Sequence, residues 1–400
     1  MSMLHRGRLG WQHVGIAFRL PKKGIAGLDN ALQESSSAPP PSSPMPPAAK
    51  WHFHPLDILL IGAPLAVLAE IFHWSPALLF FTSGFAIVPL ARYIGLSTEE
   101  LATRVGPAAG GLLNATFGNA TELIIGIFAL QAGLYDVVKA SLVGSILGNI
   151  LAVLGLSFLV GGWKRERQYF NRTAASAAGA QLTLAGGALL VPAVLAATSR
   201  VSNLTMSHLS MTTAFVLIAA YIAGLFFTLR THAHLYSEEQ AEVLEGHGWG
   251  MRRSVVVLLI STVVVAVLSE LLVDGVKGIT EHLGWTQMFV GVILIALLGN
   301  AAEHTSAVTA AIHDQMDLAL SIALGSATQI ALFVAPVLVI TGSLIGHPLD
   351  LLFDTFEVAA VIIAVTLANL LIADGESTWL EGAQLLAVYA ILAVAFFVHA

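Results

Sequence analysis

The 400-residue sequence contains no cysteine. That removes disulfide frameworks, thiolate metal sites and thiol catalysis together. Charge is also scarce: Asp, Glu, Lys and Arg make up 11 % of the chain, against about 25 % in soluble domains. The net charge of −7 is modest, and no basic patch is rich enough to suggest nucleic acid. No HExxH motif occurs and no Ser/His/Asp set stands out, so the sequence speaks against an enzyme. The first 30 residues carry Arg6, Arg8, Arg19, Lys22 and Lys23 but no apolar core of signal-peptide length. Residues 35–49 are Ser/Pro-rich and cannot build a core, which predicts a disordered tail over 1–50.

Apolar residues fill the space that charge leaves. They make up 56 % of the chain, and the mean hydropathy is +0.81. A bilayer core about 30 Å thick takes roughly 20 apolar residues per helix. Eleven stretches approach that length: 56–72, 76–94, 112–130, 137–160, 175–197, 209–229, 254–273, 287–310, 318–340, 355–373 and 379–398. The prediction is an all-α polytopic membrane protein. With eleven crossings, the tail and every second loop share one side, which then holds 15 of the 18 Lys and Arg residues; only Lys139, Arg200 and Lys277 fall on the other. Cytoplasmic loops carry the Lys/Arg excess. The N-terminus is therefore expected in the cytoplasm and the C-terminus opposite, in a bacterial inner membrane or a vacuole-type membrane.

A gapless shift of 181 positions reveals a repeat. It places Gly118-Asn119-Ala120-Thr121-Glu122 on Gly299-Asn300-Ala301-Ala302-Glu303, Asp136 on Asp317, Gly144 on Gly325 and Ser145 on Ser326. Five crossings separate the copies. Five is odd, so the copies run through the membrane in opposite directions, as in many secondary transporters. The expected plan is one leading helix plus five plus five, with residues 51–229 as the first part, 230–253 as a cytoplasmic linker and 254–400 as the second half.

Helical spacing sets Asn119 near Glu122 and Asn300 near Glu303, with His304 beside the second carboxylate. Ser145 with Asn149, and Ser326 with Gln329, come from the helices that follow. An ionised carboxylate at mid-membrane costs roughly 2.5–3.5 kcal/mol even on the lenient insertion scale, and two converging ones also repel. Apart from imidazole, the groups on these faces offer hard oxygen donors. Ca²⁺ takes about 6–8 such oxygens in irregular geometry, whereas Mg²⁺ dehydrates reluctantly; a soft metal would prefer thiolates. Burial disfavours the charged carboxylate, so an empty site takes up protons and a divalent cation must expel them. Competition for Glu122 and Glu303 is the minimum chemistry of an exchanger, and His304 could tune it. The alternative is that these polar groups only tie helices together.

The segments GGLLNATFGNATELI at 110–124, SLVGSILGN at 141–149, VGVILIALLGNAAEH at 290–304 and ALGSATQIALFVAP at 323–336 resemble the repeat motifs of the cation/proton exchanger (CAX) family of the calcium/cation antiporter superfamily. The resemblance runs from about residue 55 to the end. It implies antiport of Ca²⁺, or another divalent cation, against H⁺ by alternating access, with no cofactor beyond the transported ions. It implies Glu122 and Glu303 as central cation ligands, supported by Asn119, Asn300, His304, Ser145, Ser326 and Gln329. Related sodium/calcium exchangers carry Pro just before the acidic residue; Thr121 and Ala302 stand there, which favours proton coupling over a Na⁺-coupled exchanger. A passive cation channel is a more distant alternative, since acidic rings in channels come from several identical subunits. Oligomeric state is left open.

Three further acids, Glu70, Glu270 and Glu357, lie in or at the ends of apolar stretches and are candidates for a gate or proton path. The acidic run Ser237–Glu245 and the histidines His232, His234 and His247 read as a solvated linker. Pro107 and Gly110-Gly111 suggest a helix interruption that could aim a helix terminus at the ion path.

Overall fold

In the computed structural model, residues 54–105, 107–200, 202–236 and 248–398 are described. The tail at 1–50, the acidic run at 237–245 and His247 lie outside them. A 7-residue 3₁₀ helix, Pro55–Ile61, leads into α1, Gly62–Ile71. Two similar series follow. The first is α2 (Pro76–Val105), α3 (Pro107–Phe117), α4 (Ala120–Gln131), α5 (Tyr135–Gly162), α6 (Arg172–Thr198) and α7 (Asn203–Phe226). The second is α8 (Met251–Leu283), α9 (Gln287–Gly299), α10 (Ala301–Ile312), α11 (Met316–Leu344), α12 (Thr355–Leu371) and α13 (Trp379–Val398).

The 181-residue register is visible in the backbone. α3 and α4 are set at 42° to each other, α9 and α10 at 62°, and both bends fall at the Gly-Asn pair. One π-helical turn interrupts α5 at Gly148–Val153 and another interrupts α11 at Ile330–Val334, ending at equivalent positions of the repeat. Such turns are rare and concentrate at functional sites.

Among the described residues, seven helices are long and apolar enough to cross a membrane, and nine if each bent pair is one crossing. The eleven expected stretches differ from these in two ways. The first is split between the 3₁₀ helix and the 10-residue α1, and the tenth is the 17-residue α12. The second and seventh run past their apolar cores, to 30 residues in α2 and 33 in α8. At 1.5 Å per residue, α8 is about 50 Å long. Its distal end is amphipathic: Glu270, Asp274, Lys277 and Glu281 continue the exposed stripe that Val263 and Val267 begin. Hydropathy marks the lipid-facing part of these helices and not their polar extensions. The interruption expected near Pro107 and Gly110-Gly111 falls at Pro107: α2 ends at Val105 and α3 begins at Pro107. Gly110 and Gly111 lie inside α3, where they let it approach Ala102 of α2 and Leu229 beyond α7.

α5 and α11 are the most buried of the membrane-capable helices, and they run antiparallel, tied at both ends. At one end the Asn171 amide donates to Asp317 Oδ1 (2.5 Å), the Arg165 guanidinium meets Asp314 (3.4 Å), and Gln168 Nε2 donates to Asp314 and to the Ala311 carbonyl. A two-residue ladder, β1 (Gln168–Tyr169) on β2 (Glu376–Ser377), lies at that end. At the other end Lys139 donates to Asp350 (2.5 Å) and to the Leu352 carbonyl (2.8 Å), while the Tyr135 hydroxyl lies 3.3 Å from His347 Nδ1. Lys139 is 13 % exposed and Asp350 41 %, so the aspartate is the costlier partner to lose, because its loss leaves the more buried charge unpaired. Asp350→Asn is expected to lower the melting temperature by a few degrees more than Lys139→Met, which leaves behind a half-exposed carboxylate and the Leu352 carbonyl. A detergent-solubilised thermal melt checks the order.

Candidate cation site

The two helix breaks build the site. Asn119 and Asn300 sit at the starts of α4 and α10 with φ/ψ of −101°/17° and −97°/6°, in the sparsely populated bridge region. Each side chain turns back on the preceding helix: Asn119 Nδ2 donates to the Ala115 carbonyl (3.1 Å) and Asn300 Nδ2 to the Ala296 carbonyl (2.9 Å). This local bond competes with the helix ladder and ends the first segment. The new helix then starts with free amides and the positive end of its dipole at the break. Glu122 and Glu303 occupy the first turns.

Cross-links join the two copies. Asn119 Nδ2 also donates to Gln329 Oε1 (2.5 Å), and Asn300 Nδ2 to Ser145 Oγ (2.9 Å). Asn149 Nδ2 donates to Ser326 Oγ (2.9 Å). Each bond joins a residue of the first copy to one of the second. Asn119, Asn149 and Asn300 are 1 % exposed. The Glu122 carboxylate sits over Gly299, whose Cβ, if present, would lie 3.4 Å from Glu122 Oε1. The Gly-Asn pair of one copy thus makes room for the acid of the other.

Several acceptors have no donor among the described residues: Glu122 Oε2, Glu303 Oε2 and Asn149 Oδ1, each buried; the buried His304 Nε2 is also unpartnered. Unpartnered buried oxygens are costly, and three of them around two carboxylates leave room for a cation. No cluster of three or more His, Asp or Glu side chains able to hold a metal occurs among the described residues. The site is a carboxylate pair among neutral oxygen donors.

A cavity of about 310 Å³ reaches the site from the α11 N-terminal end; Gln329, which holds Asn119, is in its wall. Asn114, Gln181, Tyr221 and Asp317 also line it. Toward the α5 N-terminal end lies a void of about 10 Å³, bordered by Glu122, Ser145 and Gly299. The structure therefore gathers Glu122, Glu303, Asn119, Asn300, Ser145, Ser326, Gln329 and His304 at the breaks. It leaves the other three acids elsewhere. Glu70 and Glu270 are exposed on α1 and α8. Glu357 is buried but closes a capping box at the start of α12, accepting from the Asp354 amide (2.9 Å). The cavity wall was legible in part: Asp317 and Gly325 carried a repeat signal and Asn114 and Gln329 lie in its motifs, whereas Gln181 and Tyr221 lie on helices without motif residues.

Paired broken helices from two copies of a repeat, meeting inside an apolar helical bundle, define the class of membrane carriers with internal repeats. The chain belongs to the sodium/calcium exchanger protein family, whose model matches residues 75–230 and 253–398. It is 47 % identical over 359 residues to a Ca²⁺/H⁺ antiporter of Synechocystis sp., covering 86 % of this chain and 96 % of that protein. It is 44 % identical over 344 residues to the Ca²⁺/H⁺ antiporter ChaA of Bacillus subtilis, covering 85 % and 97 %, and 40 % identical over 348 residues to a vacuolar calcium ion transporter of Schizosaccharomyces pombe, covering 86 % and 84 %. The crystal structure of the Ca²⁺/H⁺ antiporter protein YfkE superimposes with a TM-score of 0.74 at 41 % identity, over 86 % of this chain and 99 % of that one.

Proposed function

We propose that the chain exchanges Ca²⁺ for H⁺ across a membrane by alternating access, with Glu122 and Glu303 as the ligands for which the two ions compete. The observation that carries this reading is the pair of carboxylates, one from each copy, whose buried Oε2 atoms have no donor among the described residues. Its relatives at 40–47 % identity are named as Ca²⁺/H⁺ antiporters or as a vacuolar calcium transporter, which favours proton coupling over Na⁺ coupling within the same fold. Asn119, Asn300, Ser145, Ser326 and Gln329 hold neutral oxygens around the pair. Asn149, with its orphaned Oδ1, joins them. His304 tunes the competition.

α1, α2, the bent pair α3–α4, α5, α6, α7, α8, the bent pair α9–α10, α11, α12 and α13 make eleven crossings in this reading. Residues 51–229 and 254–400 are then two parts joined by the linker 230–253, and the halves are inverted. The antiparallel α5 and α11 support the inversion. The cavity opens on the side of Lys164, Arg165, Arg167 and Arg172, which the positive-inside rule assigns to the cytoplasm. The structure is then open to the cytoplasm, where Ca²⁺ would load.

Coupling has a sign. Protonated carboxyls are not ligands, so acidification weakens Ca²⁺ binding, by about tenfold per pH unit for each proton displaced. Isothermal titration of Ca²⁺ into purified protein at several pH values, in buffers of different ionisation enthalpy, reads both the affinity and the protons released. Affinity independent of pH, with no proton release, would remove the coupling assigned to the pair.

A further inference from the structure

The two copies share a register but not a conformation, and the difference locates a second gate. At the α5 N-terminal end the passage is shut by α9 lying against α5. A Cβ on Gly291 would meet Ala140 Cβ at 2.6 Å and the Val137 carbonyl at 2.9 Å. A Cβ on Gly144 would collide with the Val292 backbone. Only glycine permits that approach, and a void of about 10 Å³ lies beyond it.

Adding 181 to α5 residues and subtracting 181 from α9 residues gives the counterparts at the other end. Val137, Ala140 and Gly144 map to Leu318, Ser321 and Gly325; Gly291 and Val292 map to Gly110 and Gly111. All five counterparts line the 310 Å³ cavity. No atom of another element lies within 4 Å of a Cβ built on Gly325, whereas Gly111 packs against Leu229. Residues that touch at the shut end are therefore facing walls at the open end.

The same inequality appears at the acids. Glu122 lies over Gly299, yet the nearest neighbours of a Cβ on Gly118 all belong to Asn114, one turn back, and Glu303 is not among them.

We infer that Gly111 and Gly325 form the cavity-side gate. α3 leaves Leu229 and its backbone seats on Gly325, as Val292 seats on Gly144, while the Gly144–Val292 contact parts at the other end. Gly325 is thus a positioning residue for the transport cycle, idle in this conformation and required in the opposite one. The inference rests on the alternating-access reading, but its test includes a readout that needs no ion flux.

The absence of cysteine makes the test clean. A disulfide needs Cβ atoms about 3.5–4.5 Å apart, and no atom of another element lies within 4 Å of a Cβ at position 325 here. The double variant Gly111→Cys/Gly325→Cys, in proteoliposomes with a thiol oxidant, is expected to cross-link as the closed form is visited. Flux should stop, and a reductant should restore it. Gly325→Leu projects into open cavity, so the protein should fold and remain monodisperse; it is expected to lower turnover more than about tenfold by excluding one of the two states. The inference is overturned if no disulfide forms while the reduced double variant transports normally, if the disulfide forms without stopping flux, or if Gly325→Leu turns over at the unmodified rate. Cross-linking reports the motion whichever ions are carried, so its failure is separable from failure of Ca²⁺/H⁺ exchange.

Discussion

Replacing Glu122 or Glu303 by glutamine is expected to lower proton-driven Ca²⁺ flux by more than about a hundredfold, with each variant still inserted and monodisperse. Glutamine keeps the volume of the side chain but presents an amide that can donate where a bare Oε2 now stands. It removes one of two negative charges from a site whose other donors are neutral, and ligand charge is a main determinant of Ca²⁺ affinity. It also removes a proton acceptor, so neither direction of exchange survives. Glu357→Gln is the matched control. Its acid caps α12, and glutamine serves in that box equally well, so flux should change by less than about threefold. Flux in proteoliposomes loaded at low internal pH distinguishes the three. If either site variant transports at a rate close to the unmodified protein, Glu122 and Glu303 are not the shared ligands.

The second large effect is on stability. Gly144→Ala is expected to destabilise the protein by about 1–3 kcal/mol, the usual range for overpacking a tight contact. The added methyl has no flexible side chain to displace: it meets the backbone of Val292, held in turn by the close approach of Gly291 to Ala140. Gly325→Ala occupies the equivalent position in the other copy and meets nothing. Its melting temperature should stay near that of the unmodified protein, while its turnover falls. Thermal melts of the two variants side by side check the contrast. Equal shifts would mean that α5 and α9 do not pack closely enough for Gly144 to need its missing Cβ.

The contrast between these two glycines also marks what a sequence can carry. The 181-residue register placed the acids, the asparagines and both flanking helices, because each copy needs the same groups for the same job. It could not say which end is open. Gly144 and Gly325 are the same letter in the same motif, and openness is a difference in conformation between copies. Helix breaks were legible only in part. Pro107 marks the start of α3, whereas Gly110-Gly111 serve close packing inside it. The break at Asn119 carried no breaker residue of that kind: there a side-chain amide captures the Ala115 carbonyl. The polar ends of α2 and α8 escaped hydropathy because an amphipathic stripe averages out. Glu270 then looked like an acid inside the membrane, whereas it begins the exposed charged stripe of α8. Tyr221 and Gln181 carry no pattern; only packing brings them to the cavity.

Whether protons drive Ca²⁺ through this site is read most directly from Ca²⁺ uptake into proteoliposomes containing the purified chain, with a pH gradient as the only driving force and no Na⁺ present. Exchange at Glu122 and Glu303 gives uphill Ca²⁺ accumulation that collapses when the gradient is dissipated. Accumulation that appears only with a Na⁺ gradient, or Ca²⁺ movement that never exceeds equilibrium, would contradict it.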